Sequence, residues 1–289
     1  MKGIILSGGL GSRLYPATNV ITKQLLSVYN KPMIYYPMST LMLAGIKDIM
    51  IITRPDQISL YELLFGNGSH LGINIEYKIQ ENPKGIAESF IIAQDFIGKD
   101  EVCLILGDNI LYGDNLPNVL KKSRRIVGQG KSVVYGYHVR SPEEYGVIEH
   151  NRNHRVISIE EKPKKPKSNC AAIGLYMYGN DVVQISKTIQ PSKRGELEIT
   201  DVNKVYLQKK KLMLEIFGRG YAWFDAGSHD SLLEASNFIQ TIEKRQGLKI
   251  ACLEEIAYNL GYISKRHLFR LADNLGENEY SKYLYGITK

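Results

Sequence analysis

The sequence Ser7-Gly8-Gly9-Leu10-Gly11-Ser12-Arg13 directly follows Met1-Lys2-Gly3-Ile4-Ile5-Leu6, an apolar run of the length of a buried strand. The three glycines let backbone N–H groups come close together, because no Cβ atom stands between them. Such a cluster of amides can bind the oxygens of a polyphosphate, and Arg13 adds a planar cation beside it. This stretch predicts a strand that ends in a phosphate-binding loop. The alternative is an ordinary glycine-rich turn.

The loop differs from both common phosphate-binding patterns. The Walker pattern requires Gly-Lys-Ser/Thr, which the loop lacks, and the dinucleotide-binding pattern requires a glycine where Leu14 stands. The loop is therefore of another kind, and the rest of the chain must indicate its ligand.

Composition narrows the classes of function. Of the 289 residues, 44% are apolar and 23% are charged, which is ordinary for a globular protein. The net charge of +7 favours anionic partners without choosing among them. Basic clusters at 121–125, 162–167 and 209–211 are typical of solvated faces. They are not interleaved with aromatic residues, so a nucleic-acid partner is not expected.

The cysteines and the hydropathy indicate the compartment. Cys103, Cys170 and Cys252 have no metal-binding or redox spacing, and we predict that Cys103 and Cys252 are small core residues. The first strand begins almost at Met1, which leaves no room for a signal peptide. No apolar run approaches the length that spans a membrane, so we expect a cytoplasmic protein with no membrane partner.

Strand and helix patterns alternate in the first half of the chain. Apolar strands are predicted at 48–53, 73–79 and 102–106, and helices after Pro37, at 58–65 and at 86–97. This order predicts a mostly parallel sheet with helices on both faces. Ligands of such sheets bind beyond the carboxyl ends of the strands, where the Gly8 loop, Gln80 and Asp108 all fall.

The second half is richer in strands. They are predicted at 132–139, 146–150, 156–160, 172–178 and 212–217. A helix is predicted from 195–201 to about 210, and another begins at a capping box, Ser231-Leu232-Leu233-Glu234, and ends at Gly247. We expect one α/β domain over 1–289, with a nucleotide-binding half (1–112), a sugar-phosphate-binding half (113–228) and a helical tail (229–289).

Two aspartates are candidate metal ligands. Asp108 follows a strand directly, where a carboxylate suits a magnesium ion that also binds phosphate oxygens and waters. Asp225 ends the aromatic run 221–224 beside a turn of small residues. Each also fits the plainer role of a turn residue.

Other side chains offer charges and amides. Lys162 can hold a sugar phosphate as a point charge, and Glu161 can accept hydrogen bonds from sugar hydroxyls; the alternative is a surface ion pair. Lys23 has the same two interpretations. Gln24 and Gln80 each carry a donor and an acceptor, as reading a pyrimidine edge requires.

Read in order, these residues resemble the sugar-1-phosphate nucleotidyltransferase family, over nearly the whole chain. The matching segments are Gly8–Leu14, Lys23-Gln24-Leu25-Leu26, Lys31–Pro37, Gly107-Asp108-Asn109, Tyr145-Gly146-Val147, Glu160–Pro163, Gly195–Asp201 and Gly220–Gly227. The second and third of these segments point to the short branch that transfers thymidylyl groups to glucose 1-phosphate. The resemblance implies a Rossmann-like fold with a mixed, mostly parallel central sheet and a helical C-terminal extension.

The resemblance also implies an enzyme and its site. dTTP and α-D-glucose 1-phosphate would give dTDP-glucose and pyrophosphate with Mg²⁺, the first step toward dTDP-rhamnose or related deoxysugars. The triphosphate would bind to Gly8, Gly9, Gly11, Ser12, Arg13 and Lys23. The base and deoxyribose would bind to Gln24, Gln80 and Gly85. The sugar phosphate would bind to Tyr145, Gly146, Glu161, Lys162, Ala172 and Gly174. Asp108 and Asp225 would hold the metal, with Asn109 beside them, and the catalytic set would be Arg13, Lys23, Lys162, Asp108 and Asp225.

The family pattern further implies a homotetramer that dTDP-rhamnose inhibits at a second site. Its ingredients would be Arg219, Gly220, Arg245 and Lys249. Three positions depart from the pattern: Ser12 stands where threonine is usual, Ser27 where proline is usual, and Glu88 where glutamine is frequent. They leave open whether UTP replaces dTTP. A sensor of nucleotide sugars without catalytic activity is the alternative from another class.

Overall fold

The computed structural model describes residues 1–288. The first half of the chain alternates strands and helices. In chain order the elements are β1 (Lys2–Ser7), β2 (Ser27–Val28), β3 (Lys31–Pro32), α1 (Tyr35–Leu43), β4 (Asp48–Thr53), α2 (Ile58–Phe65), β5 (Asn74–Ile79), α3 (Glu88–Ile92), α4 (Gln94–Ile97) and β6 (Val102–Leu106).

Four of these strands pair in parallel in the order β6-β1-β4-β5, with Ile5 between Ile51 and Ile105. Such strands end at the same edge of the sheet. The Gly107 N–H donates to the Leu6 carbonyl at 2.9 Å, and the Gln80 N–H donates to the Thr53 carbonyl at 2.8 Å. The loops after β1, β5 and β6 therefore leave the sheet side by side.

The second half extends the same sheet. Its elements are β7 (Asn109–Gly113), α5 (Leu116–Gly128), β8 (Ser132–His138), β9 (Gly146–His150), β10 (Val156–Glu161), β11 (Cys170–Tyr178), α6 (Val182–Thr188), α7 (Ile199–Gln208), β12 (Leu212–Phe217) and β13 (Tyr221–Asp225). Strand β11 pairs antiparallel with β6, β8 and β9, and β12 pairs in parallel with β8. The result is a nine-stranded mixed sheet that both halves of the chain share.

A separate two-stranded ribbon joins β7 to β13. The two strands are antiparallel, and their register places Asp225 opposite Asn109 and Trp223 opposite Leu111. Because β7 begins directly after Asp108, the ribbon brings the end of β13 to the end of β6. This pairing decides where the second aspartate lies.

The tail is helical, with α8 (His229–Gln246), α9 (Leu253–Asn259), α10 (Lys265–Asn274) and α11 (Glu279–Gly286). Helix α9 packs against α1, and the tail contributes Leu253, Leu268 and Leu284 to the core that covers one face of the sheet. Within residues 1–288 no helix has the length and apolar character needed to cross a bilayer. The predicted α/β fold with a helical C-terminal extension is confirmed.

Most predicted elements agree with the structure, including β4, α2, β6, β9 and β12 with their exact bounds. Cys103 and Cys252 are buried, as predicted, and Cys170 is buried as well. Helix α1 begins at Tyr35, three residues before the predicted start at 38, because Pro37 falls in the first turn, where no N–H donor is needed.

Three predictions were wrong in detail. The helix expected over 86–97 breaks at Ala93 into α3 and α4. The cap of α8 is Ser228, whose hydroxyl accepts from the Ser231 N–H at 3.2 Å, so Ser231 lies inside the helix that it was expected to begin. The helix predicted from 195–201 begins only at Ile199. Strands β2, β3, β7 and β13 and helices α5 and α6 were not predicted.

A buried ion pair fastens α8 to the segment after the glycine loop. Lys31 donates to Glu243 at 2.9 Å, Asn30 donates to the second carboxylate oxygen at 2.7 Å, and the Ile250 N–H donates to the first at 2.9 Å. Lys31 is 3% exposed and Glu243 is 7% exposed. Burial lowers the pKa of Lys31, while Glu243 opposes that shift.

We expect Glu243→Gln to lower the free energy of unfolding by on the order of 3 kcal/mol, because it leaves the Lys31 ammonium buried without a counter-charge. The measurement is urea denaturation followed by Trp223 fluorescence. Glu234→Gln, which alters an exposed carboxylate on the same helix, should change stability by less than about 0.5 kcal/mol. A Lys31→Met, Glu243→Leu double variant should recover most of the loss. Equal stability of the two Gln variants would contradict this account.

Candidate active site

The glycine loop turns back over the end of β1. A Cβ atom on Gly8 would lie 2.2 Å from Gln80 Oε1, so a side chain there would displace the Gln80 amide. Gly11 has a φ of 66°, and its carbonyl accepts from Leu14 N–H and from Thr18 Oγ1, both at 2.9 Å. A side chain at Gly11 would strain this left-handed backbone. The loop is therefore held in one conformation by Gln80 and Thr18.

Arg13 reaches from this loop to the end of β13. A Cβ atom on Gly227 would lie 2.5 Å from Arg13 Nη2 and 3.0 Å from Asp225 Oδ1. The Arg13 guanidinium and the Asp225 carboxylate therefore both lie close to Gly227, which has no side chain to separate them. Arg13 itself is exposed, so its remaining donors face solvent.

Lys23 pairs with Asp108 behind the loop. Burial opposes ionisation of Asp108, but the ammonium of Lys23 and the amide of Asn109 outweigh it, and the pKa of Asp108 lies below its usual value. Asp108 is therefore a carboxylate at neutral pH. It stands directly after β6, as predicted.

Asp225 lies next to Asp108, where the ribbon places it. The Ala226 N–H donates to the Asp108 carbonyl at 3.0 Å. Burial and the negative charge of Asp108 raise the pKa of Asp225 to about 6, although Lys23, Arg13 and Lys162 partly offset them. The two neighbouring carboxylates repel each other when both are ionised. A divalent cation bound to them would relieve this repulsion.

Asn109 connects these carboxylates to the cleft beside them. Its Nδ2 donates to Asp108 Oδ1 at 3.1 Å, and its Oδ1 accepts from Trp223 Nε1 at 2.7 Å and from the Gly174 N–H at 2.9 Å. A Cβ atom on Gly174 would lie 2.7 Å from that oxygen, which explains the glycine. The Asn109 amide is thus engaged by protein groups and acts as a positioning group.

A cleft of about 690 Å³ opens beside the ribbon. The predicted residues that line it are Asn109, Tyr145, Gly146, Glu161, Lys162, Ala172, Gly174 and Asp225. Eight of the residues that line the cleft were therefore predicted as site residues. Tyr145 packs edge-to-face on Trp223, with ring centroids 5.2 Å apart.

Lys162 enters the cleft from a strained turn. Its φ is 42°, and its N–H donates to the Tyr145 carbonyl at 3.0 Å. A left-handed backbone costs a non-glycine residue about 1–3 kcal/mol, and such strain is typical of functional sites. The turn follows β10 and projects the ammonium toward Asp225, whose pKa it lowers.

Seven polar or aromatic residues of the cleft were not predicted as site residues: Glu144, Tyr176, Arg194, Glu196, Glu198, Thr200 and Trp223. Arg194 pairs with Glu198 at 2.8 Å and with Glu161 at 3.2 Å, and Thr200 donates to Glu161 at 2.5 Å. Glu161 is therefore oriented from two sides.

A signal for some of them was present in the sequence. Trp223 and Asp225 are two residues apart on one strand, so they share a face once β13 is recognised. Thr200 and Glu198 lie in a segment already matched to the family, 195–201.

The predicted base-side residues lie outside the cleft lining, next to the loop. Gln24 is buried, and its Oε1 accepts from Thr22 Oγ1 at 2.6 Å. Gln80 is also buried and faces Gly8. Gly85 has a φ of 102°, and its Cβ would lie 2.5 Å from the Leu197 carbonyl oxygen.

Gly85 therefore permits a contact between two loops. The Leu197 N–H donates to the Lys84 carbonyl at 2.7 Å, which fastens the loop after β5 to the segment that carries Arg194 and Glu198. Gly9 lies in the open part of the glycine loop, and Ser12 begins the short turn that contains Arg13.

The predicted regulatory residues are not all together. Lys249 lines a second, more apolar groove of about 1570 Å³, with Leu111, Tyr112, Ile250 and Ile256. Arg219 and Gly220 lie in the turn between β12 and β13, and Arg245 is exposed near the end of α8; none of the three lines that groove. Ser27 lies in β2, paired with Pro32.

The arrangement can bind anions and one divalent cation. Arg13, Lys23 and Lys162 surround the pair Asp108 and Asp225. Among residues 1–288 no group of three or more His, Cys, Asp or Glu side chains is placed to hold a metal. Two carboxylates fit Mg²⁺, which binds few protein oxygens and completes its shell with phosphate oxygens and waters.

Comparisons with known proteins show the family of this chain. A family model described as nucleotidyl transferase matches residues 2–242. Glucose-1-phosphate thymidylyltransferase of Neisseria meningitidis is 51% identical over 289 residues, covering all of both chains. The protein of that name from Mycobacterium tuberculosis is 49% identical over 284 residues, with 98% of each chain covered.

Solved structures share the fold. A Bacillus anthracis protein provisionally assigned as a glucose-1-phosphate thymidylyltransferase, in complex with a sucrose, superposes with a TM-score of 0.75 and 41% identity, covering 82% of this chain and 94% of that one. A UDP-glucose pyrophosphorylase with UDP-glucose superposes with a TM-score of 0.74 and 27% identity, covering 83% and 98%. The chain belongs to the nucleotidyl transferase family, in the branch of the glucose-1-phosphate thymidylyltransferases.

Proposed function

We propose that this chain transfers dTMP from dTTP to α-D-glucose 1-phosphate, releasing pyrophosphate and forming dTDP-glucose, the first step toward dTDP-rhamnose or related deoxysugars. The observation that carries the proposal is the meeting of the glycine loop with the cleft. Arg13 lies at Gly227, just beyond the end of β13, and Lys162 lines the same cleft as Asp225 and acts on that carboxylate through its charge. One site thus holds cations for two phosphate-bearing substrates.

The reaction needs no general base. The attacking oxygen belongs to the phosphate of glucose 1-phosphate, which is already ionised near neutral pH. It displaces pyrophosphate from the α-phosphorus in line, with inversion and without a covalent intermediate. The barrier arises from repulsion between two anions and from charge that builds on the leaving pyrophosphate, so positioning and electrostatic stabilisation provide the catalysis.

The chain's own residues divide this work. Arg13 and the amides of the glycine loop bind the β- and γ-phosphates, which leave as pyrophosphate. Lys23 releases Asp108 and binds a phosphate oxygen instead. Lys162 holds the sugar phosphate at the point of attack. Glu161, oriented by Arg194 and Thr200, accepts from sugar hydroxyls, and Gln24 and Gln80 lie on the side of the base.

Asp108 and Asp225 would hold Mg²⁺. When bound, the ion neutralises phosphate charge and acts as a Lewis acid at the reacting phosphoryl group. Its fit rests on the paired carboxylates, whose mutual repulsion raises the pKa of Asp225.

The competing activity is transfer of UMP, since uracil and thymine offer the same hydrogen-bonding edge. The identities favour thymidylyl transfer: the thymidylyltransferase relatives reach 51%, whereas the UDP-glucose pyrophosphorylase is 27% identical. A catalytically inactive sensor would be expected to have lost Arg13, Asp108 or Asp225, and all three are present.

Pyrophosphate release should require dTTP, glucose 1-phosphate and Mg²⁺ together. We expect kcat/KM for dTTP to exceed that for UTP, and Lys162→Met to lower kcat/KM for glucose 1-phosphate by about 10²–10³, because it removes a preorganised cation. A coupled pyrophosphate assay measures both.

Lys164→Met is the matched control, since Lys164 is an exposed lysine of the same loop. It should keep wild-type rates. Release of pyrophosphate without glucose 1-phosphate, or a trapped nucleotidyl-enzyme, would contradict the mechanism.

The raised pKa of Asp225 predicts a conflict between activity and stability. Because the folded pKa, about 6, exceeds the unfolded value near 4, the metal-free protein loses stability as pH rises through this window. Asp225→Asn removes the ionisation, so above pH 6 it should be more stable than the wild type by roughly 1–3 kcal/mol and inactive. Urea denaturation in EDTA at pH 4, 5, 6 and 7 measures the difference.

Below pH 4 the two proteins should be equally stable, because both states of the wild type are then protonated. Asp95→Asn, on an exposed position of α4, serves as control and should show no such pH-dependent gain. A wild type that gains stability over the variant between pH 4 and 6 would refute the assignment.

We also propose a homotetramer with a second nucleotide site, at which dTDP-rhamnose inhibits. Lys249 and the apolar groove beside it support such a site, and Arg219, Gly220 and Arg245 would belong to it across a subunit contact. We also propose that the chain is a single domain divided into 1–112, 113–228 and 229–289. A cytoplasmic location is a further proposal. The three buried, unpaired cysteines suit a reducing compartment.

Adding dTDP-rhamnose should lower the rate of dTDP-glucose formation at saturating substrates. Arg245→Met should raise the half-inhibitory concentration about tenfold, because it removes a cation for the diphosphate, whereas Lys244→Met, its exposed neighbour, should not. Light scattering after gel filtration measures the assembly. An unchanged rate at saturating dTDP-rhamnose would end the regulatory proposal.

A further inference from the structure

Glu88 contacts a residue of the proposed base side and differs from the glutamine frequent in the family. Its carboxylate accepts from Gln80 Nε2 at 2.7 Å and from the Lys84 N–H at 3.2 Å, both at the same oxygen. Glu88 is half-buried and is the first residue of α3. The side chain is thus anchored to the backbone of the loop after β5.

A glutamine amide can usually be turned so that either its oxygen or its nitrogen faces a neighbour. A carboxylate can only accept hydrogen bonds, so a carboxylate neighbour decides between these two orientations. If the Gln80 amide were turned over, its Oε1 would face a carboxylate oxygen at hydrogen-bonding distance, and two acceptors would repel. Glu88 therefore fixes Nε2 toward α3 and Oε1 toward the glycine loop. The position of Oε1 against Gly8 agrees with this orientation.

We propose that Glu88 is a specificity-determining positioning residue that makes Gln80 select thymine or uracil over cytosine. The inference rests on the proposed role of Gln80 as a reader of the base. With its orientation fixed, the amide presents an acceptor for the N3–H of thymine or uracil and a second N–H for the adjacent C4 carbonyl.

Cytosine in the same pose presents hydrogen-bonding groups that do not complement those of this amide. Its N3 is an acceptor that faces Oε1, and its amino group faces the Nε2 donor. A freely turning amide would accommodate cytosine by exchanging its two ends. Glu88 prevents the exchange, so cytosine would leave buried polar groups unpaired, which is a strong ground for rejection.

The test compares dTTP with dCTP in pyrophosphate release with glucose 1-phosphate. Glu88→Gln is isosteric and can pair with either orientation of Gln80. We expect it to lower the ratio of kcat/KM for dTTP to that for dCTP by about tenfold or more, mainly through improved use of dCTP. The KM for dTTP should stay within about threefold of wild type.

Two further variants separate orientation from charge. Glu81→Gln removes a negative charge from an exposed position of the same loop, and its dTTP-to-dCTP ratio should stay at the wild-type value. In a Gln80→Ala background, Glu88→Gln should no longer change the ratio, because Glu88 acts through Gln80.

The outcomes distinguish this inference from the proposed function. If the wild type fails to use dTTP, the proposed function is wrong. If it uses dTTP but Glu88→Gln leaves the ratio unchanged, or if Glu81→Gln lowers it equally, only the role of Glu88 is refuted. An effect of Glu88→Gln that persists in the Gln80→Ala background would also refute it.

Discussion

The contact between the ends of β6 and β13 is the constraint on which the site depends. The ribbon with β7 brings Asp225 beside Asp108, two carboxylates whose repulsion is only partly relieved by Lys23, Arg13 and Lys162. Two carboxylates this close together lower the stability of the metal-free protein, so selection for stability alone would not favour this arrangement. In the proposed function, the arrangement would stabilise a bound divalent cation and its phosphates at the expense of the metal-free state, which is the general cost of a preorganised charged site.

Asn109 and Gly174 extend this constraint to the sugar side. The Asn109 oxygen accepts from Trp223 and from the Gly174 backbone, so the cleft wall is positioned by the same residue that orients Asp108. A displacement of β13 would therefore disturb the carboxylate pair and the Trp223–Tyr145 wall together. Hydrogen bonds connect Asn109 with Asp108, Lys23, Trp223 and Gly174 in one unit, and networks of this kind are effective only when every member is satisfied.

The parts of the fold that depend on local pattern could be predicted from the sequence. The buried strands β4, β6 and β12 have unbroken apolar runs, and Asp108 was placed correctly because it directly follows one of them. The ribbon was missed because β7 begins immediately after Asp108 and its partner lies more than a hundred residues later. No local pattern encodes that pairing, so Trp223 was missed, and the approach of Asp225 to Asp108 was expected only from the family resemblance.

Arg194 and Glu88 show the same limit at the level of single side chains. Arg194 lies in a polar loop and Glu88 at the start of a helix, and the sequence does not distinguish a solvated charge from one that orients a neighbour. Glu88 was noticed only as a departure from the family pattern, one of three that left the choice between dTTP and UTP open. Its contacts indicate a different consequence: the carboxylate pairs with Gln80 and the Lys84 backbone, so what it changes is the set of hydrogen bonds available to the amide.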